Sequence, residues 1–283
     1  MSLGFGISAA LAWAVHDLLV RKLTQSAAIL PLMLTVLAVG SLALVIPSVL
    51  TGGWQTLDWA AIWPALAAGV TYMAGMGGLY QALSRAPVRV VAPVLGAFPM
   101  LSLGIAAAQG RAVGLVEWLA VAAIVAGIAW VALSGRGGHG QLRGSLGAAL
   151  GWAVLGAMGF AATFALGQAA ARAGAELPTM AITRVTALAG VLVLSLASRS
   201  PLRAAPGMGR ALIGMGLLDA LALALVTASA RLPHPEYAAV AAALFGVLTI
   251  VLAWRFLGEK VAAVQWAGIA VVFAGIATLS LQG

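Results

Sequence analysis

Asp219 stands between Leu217-Leu218 and Ala220-Leu221-Ala222, near the middle of a long apolar run. A carboxylate in hydrocarbon costs about 2.5 to 3.5 kcal/mol on insertion scales, so it needs a role. It could carry a coupling proton, hold a substrate amine, or pair with a buried base. Arg184 is the candidate partner, about two helical turns inside another apolar run that follows Glu176-Leu177-Pro178. Two turns is only about 11 Å, so Arg184 could instead snorkel to the nearer surface; a structural role, as one half of an ion pair, is the preferred reading. His16 and Asp17 form a third polar group. Asp17 and Arg21 are spaced i, i+4, as in a helix-end ion pair. A histidine titrates near neutral pH, so a pH-linked gate is the competing reading.

Aromatics inside apolar runs are lipid-facing bulk or the wall of a cavity. Tyr72 and Tyr80 are eight residues apart and share a helical face. With Phe98, Trp152 and Phe245 they are the candidate lining residues, and Trp13 matches Trp152 in the opening run of the other half. Trp54, Trp59, Trp63, Trp118 and Trp266 lie near run ends, as in an interfacial belt. Pro93 and Pro99 fall within one run, where each removes a backbone donor and bends the helix, which makes them the candidate hinge. Gly75, Gly77 and Gly78 in one run, and Gly147 and Gly151 in another, suit close helix approach.

The elements that must position these residues follow from composition. Of 283 residues, 63% are hydrophobic and only 8% charged, with a mean hydropathy of +1.08. Soluble domains carry roughly 25% charged residues, so this composition predicts an integral membrane protein. The apolar runs are continuous rather than alternating, which predicts helices and not a barrel. The net charge of +8 lies in short connectors, as expected of loops on one membrane face, and does not point to nucleic acid. With no cysteine and three well-separated histidines, no metal site is expected, and no thiol chemistry. No P-loop, nucleotide-binding domain or hydrolase motif occurs, so no cofactor is expected and ATP cannot drive the protein. Met1 to Gly6 holds no base, unlike a secretory signal.

Ten spans are predicted, beginning near Leu3, Pro31, Trp59, Val90, Leu115, Ser145, Leu177, Met208, Tyr237 and Val261. Residues 87–133 recur 148 positions later: Pro87 meets Pro235, Gly110 meets Gly258, Trp118 meets Trp266, and Ala126-Gly127-Ile128-Ala129 meets Ala274-Gly275-Ile276-Ala277. The opening spans match too, with Trp13 against Trp152. A shared period of this length marks a duplication. The expected organisation is a five-helix repeat over 1–135, a linker over 136–144 and a second repeat over 145–283. Because five is odd, the second repeat enters the membrane from the opposite side, giving an all-α fold of two inverted repeats around a central cavity. The two copies differ: Pro93 and Pro99 kink span 4, while Ala241 and Val247 leave span 9 unbroken. Connectors after odd spans hold 11 of the 15 Lys and Arg residues, which predicts that they are cytoplasmic and both termini outside.

The doubled five, the tryptophan opening each half and Leu257-Gly258-Glu259-Lys260 followed by Gln265-Trp266-Ala267-Gly268 resemble the EamA-type branch of the drug/metabolite transporter superfamily. Ile182-Thr183-Arg184 is similar to the arginine the family often places in that span. The resemblance implies an exporter of amino acids, metabolites or drugs, its cavity walled by spans 1, 3, 4, 6, 8 and 9, which places Trp13 and His16 among the substrate-binding candidates; aromatic amino-acid exporters of the YddG type are among the bacterial members it looks like. Two departures stand out. Gln109-Gly110-Arg111 replaces the family's Gly-Glu in the first copy, and the family usually keeps its termini in the cytoplasm.

These features predict a secondary transporter of the bacterial inner membrane, working as a monomer among lipids. It would export small amphipathic solutes, aromatic or apolar amino acids first, by alternating access, with multidrug or other metabolite transport as the alternative. An intramembrane enzyme would need converging carboxylates or histidines around Asp219. A scaffold would leave the mid-span aromatics and prolines unexplained.

Overall fold

A computed structural model describes residues 2–98, 100–101, 104, 107, 110, 112–134, 142–229, 241–242 and 244–282. Among these residues the chain forms ten α-helices and one 3₁₀ turn. The helices are α1 (Ser2–Leu23), α2 (Ile29–Thr51), α3 (Trp59–Arg85), α4 (Val88–Gly96), α5 (Leu115–Ser134), α6 (Leu146–Ala173), α7 (Glu176–Ala197), α8 (Gly209–Ser229), α9 (Phe245–Phe256) and α10 (Ala263–Gln282). By length and composition four of them, α2, α6, α7 and α8, are clearly able to cross a membrane. Local chemistry sets several ends. Asp58 caps α3 by accepting from Ala61 N at 3.1 Å, and Ser145 caps α6 by accepting from Ala148 N at 3.1 Å. Helix α2 stops where Gly52 and Gly53 take φ of 80° and 90°, a region only glycine enters freely.

The halves interleave. Helix α3 lies along α6 and α1 along α8; α3 also packs on α7 and α2 on α8; α1 meets α9 and α4 meets α6. The remaining major pairs are α2 with α7, α4 with α9 and α5 with α10. Exchanging the first five helices for the second five swaps the first six pairs two by two and turns each of the last three into itself.

The closest crossing is made by glycine. A Cβ on Gly78 would sit 2.4 Å from Gly156 N, and one on Gly159 would sit 2.4 Å from Gly75 N, so the backbones of α3 and α6 touch. Gly75 and Gly78 therefore do what their spacing predicts. Gly147 and Gly151 do not: nothing lies within 4 Å of the place of a Cβ on either. The contact face of α6 is set more than a turn further along, at Gly156 and Gly159.

The described parts of the connectors that follow odd-numbered spans gather at one end, where Thr24, Arg85, Arg143 and Ser200 line one cavity. Arg21 Nε donates to Glu259 at 2.8 Å, Gln25 Nε2 reaches Ser84 O at 3.5 Å, and Arg143 N donates to Arg85 O at 2.8 Å. At the other end, a Cβ on Gly53 would meet Ala175 at 2.8 Å, and one on Gly174 would meet Leu57 at 2.8 Å. Arg21, Arg85 and Arg143 thus share one end of the bundle.

Spans 4 and 9 cross, and both are interrupted. Helix α4 ends at Gly96, and Ala97 N donates to Val94 O at 3.2 Å in a tightened i−3 turn. Pro93 is buried inside α4; Pro99 lies outside the described residues. The expectation that span 9 runs unbroken is overturned. Leu244 is a turn residue whose N–H donates to Ala241 O at 3.2 Å, and α9 begins only at Phe245. No proline causes this break, and packing accounts for it. A Cβ on Gly246 would sit 2.7 Å from the Phe273 ring and 3.4 Å from Ala92 O, while the same ring lies 3.6 Å from the place of a Cβ on Gly96. Phe273 of α10 wedges between the two interruptions.

Candidate functional site

Four helices bring their polar side chains to one point. Arg184 on α7 pairs through Nη1 with Asp219 Oδ2 on α8. Tyr72 on α3 donates to the same Oδ2 at 2.6 Å and accepts from Arg184 Nη1 at 2.5 Å. Trp13 on α1 donates from Nε1 to Asp219 Oδ1 at 3.3 Å. The guanidinium also lies over the Tyr72 ring, 4.2 Å from its centroid, in cation–π geometry. Arg184 is 1% exposed and Asp219 5%. Arg184 therefore does not snorkel: it is buried beside a partner of opposite charge on the neighbouring helix.

Small residues make the room. A Cβ on Gly216 of α8 would sit 2.7 Å from Val36 O, and one on Gly40 of α2 would sit 3.9 Å from Arg184 Nη1. The backbones of α2 and α8 close over the ion pair because neither position carries a side chain.

Aromatic rings surround this centre. Trp13 meets Phe245 edge-on at 6.0 Å between centroids and Phe164 at 6.5 Å. Phe98 lies 5.2 Å from Phe164, and Phe160 lies 6.0 Å from Tyr72. Phe160 and Phe164 are absent from the sequence-derived candidates, although their i, i+4 spacing on span 6 places both on one face.

His16 and Asp17 form a second buried pair, Nδ1 to Oδ1 at 2.9 Å. The expected Asp17–Arg21 pair does not form: Arg21 instead binds Glu259 at 2.8 Å and donates to Leu83 O at 2.7 Å. Glu259 also accepts from Val88 N at 2.8 Å, a donor left open at the start of α4, so it offers Arg21 a fixed and well-placed acceptor. The His16 ring stands 6.2 Å from Tyr80. Among the described residues, neither His16 Nε2 nor the Tyr80 hydroxyl, both buried, has a hydrogen-bond partner.

Trp152 stands apart from the central cluster. Its ring lies 5.7 Å from the Arg85 guanidinium, at the basic end of the bundle. Among the described residues no group of His, Cys, Asp and Glu has the arrangement of a metal site.

The profile of the EamA-like transporter family matches residues 1–133 and 147–281. A crystal structure described only as that of a protein is similar over 99% of this chain and 96% of its own, with a TM-score of 0.67 and 17% identity. That likeness concerns the fold. No curated protein matches the chain significantly.

Proposed function

The chain belongs to the EamA-like transporter family, and from that premise we propose that it exports zwitterionic amphipathic solutes, aromatic amino acids first, by alternating access at the Arg184–Asp219 centre. It is an integral membrane protein whose family members are transporters rather than enzymes. The observation that carries the reading is the buried ion pair held by one half and bonded by the other. Arg184 and Asp219 are on α7 and α8, while the donors Tyr72 and Trp13 are on α3 and α1. A buried pair stabilises a fold little in itself, because desolvation nearly cancels the attraction. An amino acid can replace it charge for charge, its carboxylate taking Arg184 and its ammonium taking Asp219. The exchange leaves no unpaired charge in the membrane. Trp13, Phe98, Phe164 and Phe245 would then receive the side chain.

The exchange-symmetric packing of the helices supports two inverted five-helix repeats over 1–135 and 145–283 that rock against each other. Rocking would break the Tyr72 and Trp13 bonds to Asp219 and give solvent access to the pair. Since Asp219 is occupied by Arg184, we assign coupling-proton chemistry to His16 and Asp17. The basic end of the bundle is cytoplasmic in this reading, with both termini outside an inner membrane, and one chain suffices for transport.

Uptake of radiolabelled phenylalanine and tryptophan into proteoliposomes tests the proposal. Flux well above empty vesicles is expected, and Asp219→Asn should abolish it. Flux equal to empty vesicles for every amino acid would overturn it. Orientation is tested by fusing a reporter active only in the cytoplasm to Gly283; strong activity there would reverse the assignment.

A further inference from the structure

A cavity lies away from the ion pair, at the basic end. Its volume is about 490 Å³, and it is bounded by the α1–α2 turn, the last turn of α3, the lead-in to α6 and the α7–α8 connector. Arg85 and Arg143 both line it, with Thr24, Gln81, Ser84 and Ser200. Among the described residues no carboxylate does, and neither arginine pairs with one. Arg85 is fixed by neutral acceptors, Gln81 O at 2.9 Å and Ser84 Oγ at 3.3 Å, which orient the guanidinium without cancelling its charge. Arg143 is held beside it by its own N–H on Arg85 O at 2.8 Å. Two uncompensated guanidiniums in one concave site suit a phosphate, which takes several N–H donors at once.

Two exposed leucines stand near these lining residues in the chain. Leu142, next to Arg143, and Leu202, in the connector that closes the cavity, are 48% and 47% exposed. We propose that this cavity binds a phosphate ester anion, supplied by the headgroup of an anionic membrane lipid whose acyl chains lie on Leu142 and Leu202. Basic pockets between membrane helices are suited to such headgroups. The site ties four connectors together without touching the transport centre.

Association of spin-labelled phosphatidylglycerol, against spin-labelled phosphatidylcholine, is measured for the full chain in phosphatidylcholine nanodiscs. The protein should prefer phosphatidylglycerol about tenfold, and Arg143→Gln should remove most of that preference. Arg143 is exposed, so this variant tests the site without disturbing packing; Arg85→Gln, which also leaves Trp152, is the second variant. Lys22→Gln, an exposed base outside the cavity, should change nothing. A second arm adds inorganic phosphate, with chloride as control, to discs free of anionic lipid. A rise in melting temperature that Arg143→Gln abolishes, without any lipid preference, would support the phosphate site and assign it to a free anion. The proposal is overturned if neither probe distinguishes Arg143→Gln from the unaltered protein, or if Lys22→Gln acts as strongly, since the effect would then be diffuse surface charge.

Discussion

Tyr72 Oη on α3 lies 2.6 Å from Asp219 Oδ2 on α8 and donates its proton there, while accepting from Arg184 Nη1 at 2.5 Å. One hydroxyl thus serves both members of an ion pair that belongs to the other half of the chain. Its removal separates the contribution of this bridge from that of the pair. Tyr72→Phe keeps the ring under the guanidinium and should cost about 1 to 3 kcal/mol, the range for hydrogen bonds to charged groups. Denaturant unfolding in detergent checks the magnitude, and a double-mutant cycle with Asp219→Asn should show strong coupling.

The ion pair itself should be asymmetric to perturbation. Asp219→Asn leaves Arg184 buried without a counter-charge, and should destabilise by about 3 to 5 kcal/mol. Replacing both, as Arg184→Met with Asp219→Leu, should recover most of that stability and no transport. Recovery of flux in the double variant would remove the pair from the substrate site.

Phe245 meets Trp13 edge-on but touches neither charge of the central pair. Phe245→Ala should weaken transport of aromatic amino acids by about tenfold relative to aliphatic ones, as expected of a lost aromatic contact plus its buried area. The ratio of flux for phenylalanine and alanine in proteoliposomes reads this directly, and an unchanged ratio would place the substrate side chain elsewhere.

The crossing of α3 and α6 offers a paired test. Gly156→Val must displace the Gly75 and Leu79 backbone of the facing helix, since the place of its Cβ already lies 3.2 Å from Leu79 N and 2.6 Å from Leu95. It should cost about 1 to 3 kcal/mol or more as an overpacked core does. Gly147→Ala has open space and a helical position, so it should be neutral or stabilise by up to about 1 kcal/mol. Thermal unfolding of the two variants in one detergent compares them.

The central pair was legible in the sequence because charge is rare here: Asp219 and Arg184 interrupt apolar runs, and few partners exist for either. Other features were not legible, for reasons that differ. The i, i+4 rule links Asp17 to Arg21, but Glu259, 238 positions away, offers a better acceptor fixed by Val88 N. Phe160 and Phe164 read as lipid-facing bulk until the contact face of α6 is known, and that face depends on Gly156 and Gly159 meeting α3. Proline announces an interruption in span 4; nothing local announces the one at Leu244, which follows from Phe273 and from the close approach of Gly246 to α4.

Glu259 ties together the basic end of the bundle. Its two oxygens bind Arg21 Nε and Val88 N, each at 2.8 Å, so one carboxylate joins the end of α1, the start of α4 and the loop between α9 and α10. Arg21 in turn holds Leu83 O at the end of α3. This network closes the basic end beneath His16 and Tyr80, and it spans both halves. Glu259→Ala should release that end without touching the Arg184–Asp219 centre. The chain has no cysteine, so a single Tyr80→Cys reports access without background. Tyr80 is fully buried, and its replacement should react slowly with a membrane-impermeant maleimide. Adding Glu259→Ala should raise that rate about tenfold, the factor expected if a lost ionic contact worth about 1.4 kcal/mol shifts the population of open molecules. An unchanged rate, with folding intact by thermal unfolding, would show that Glu259 only caps α4 and that the basic end is held shut by packing.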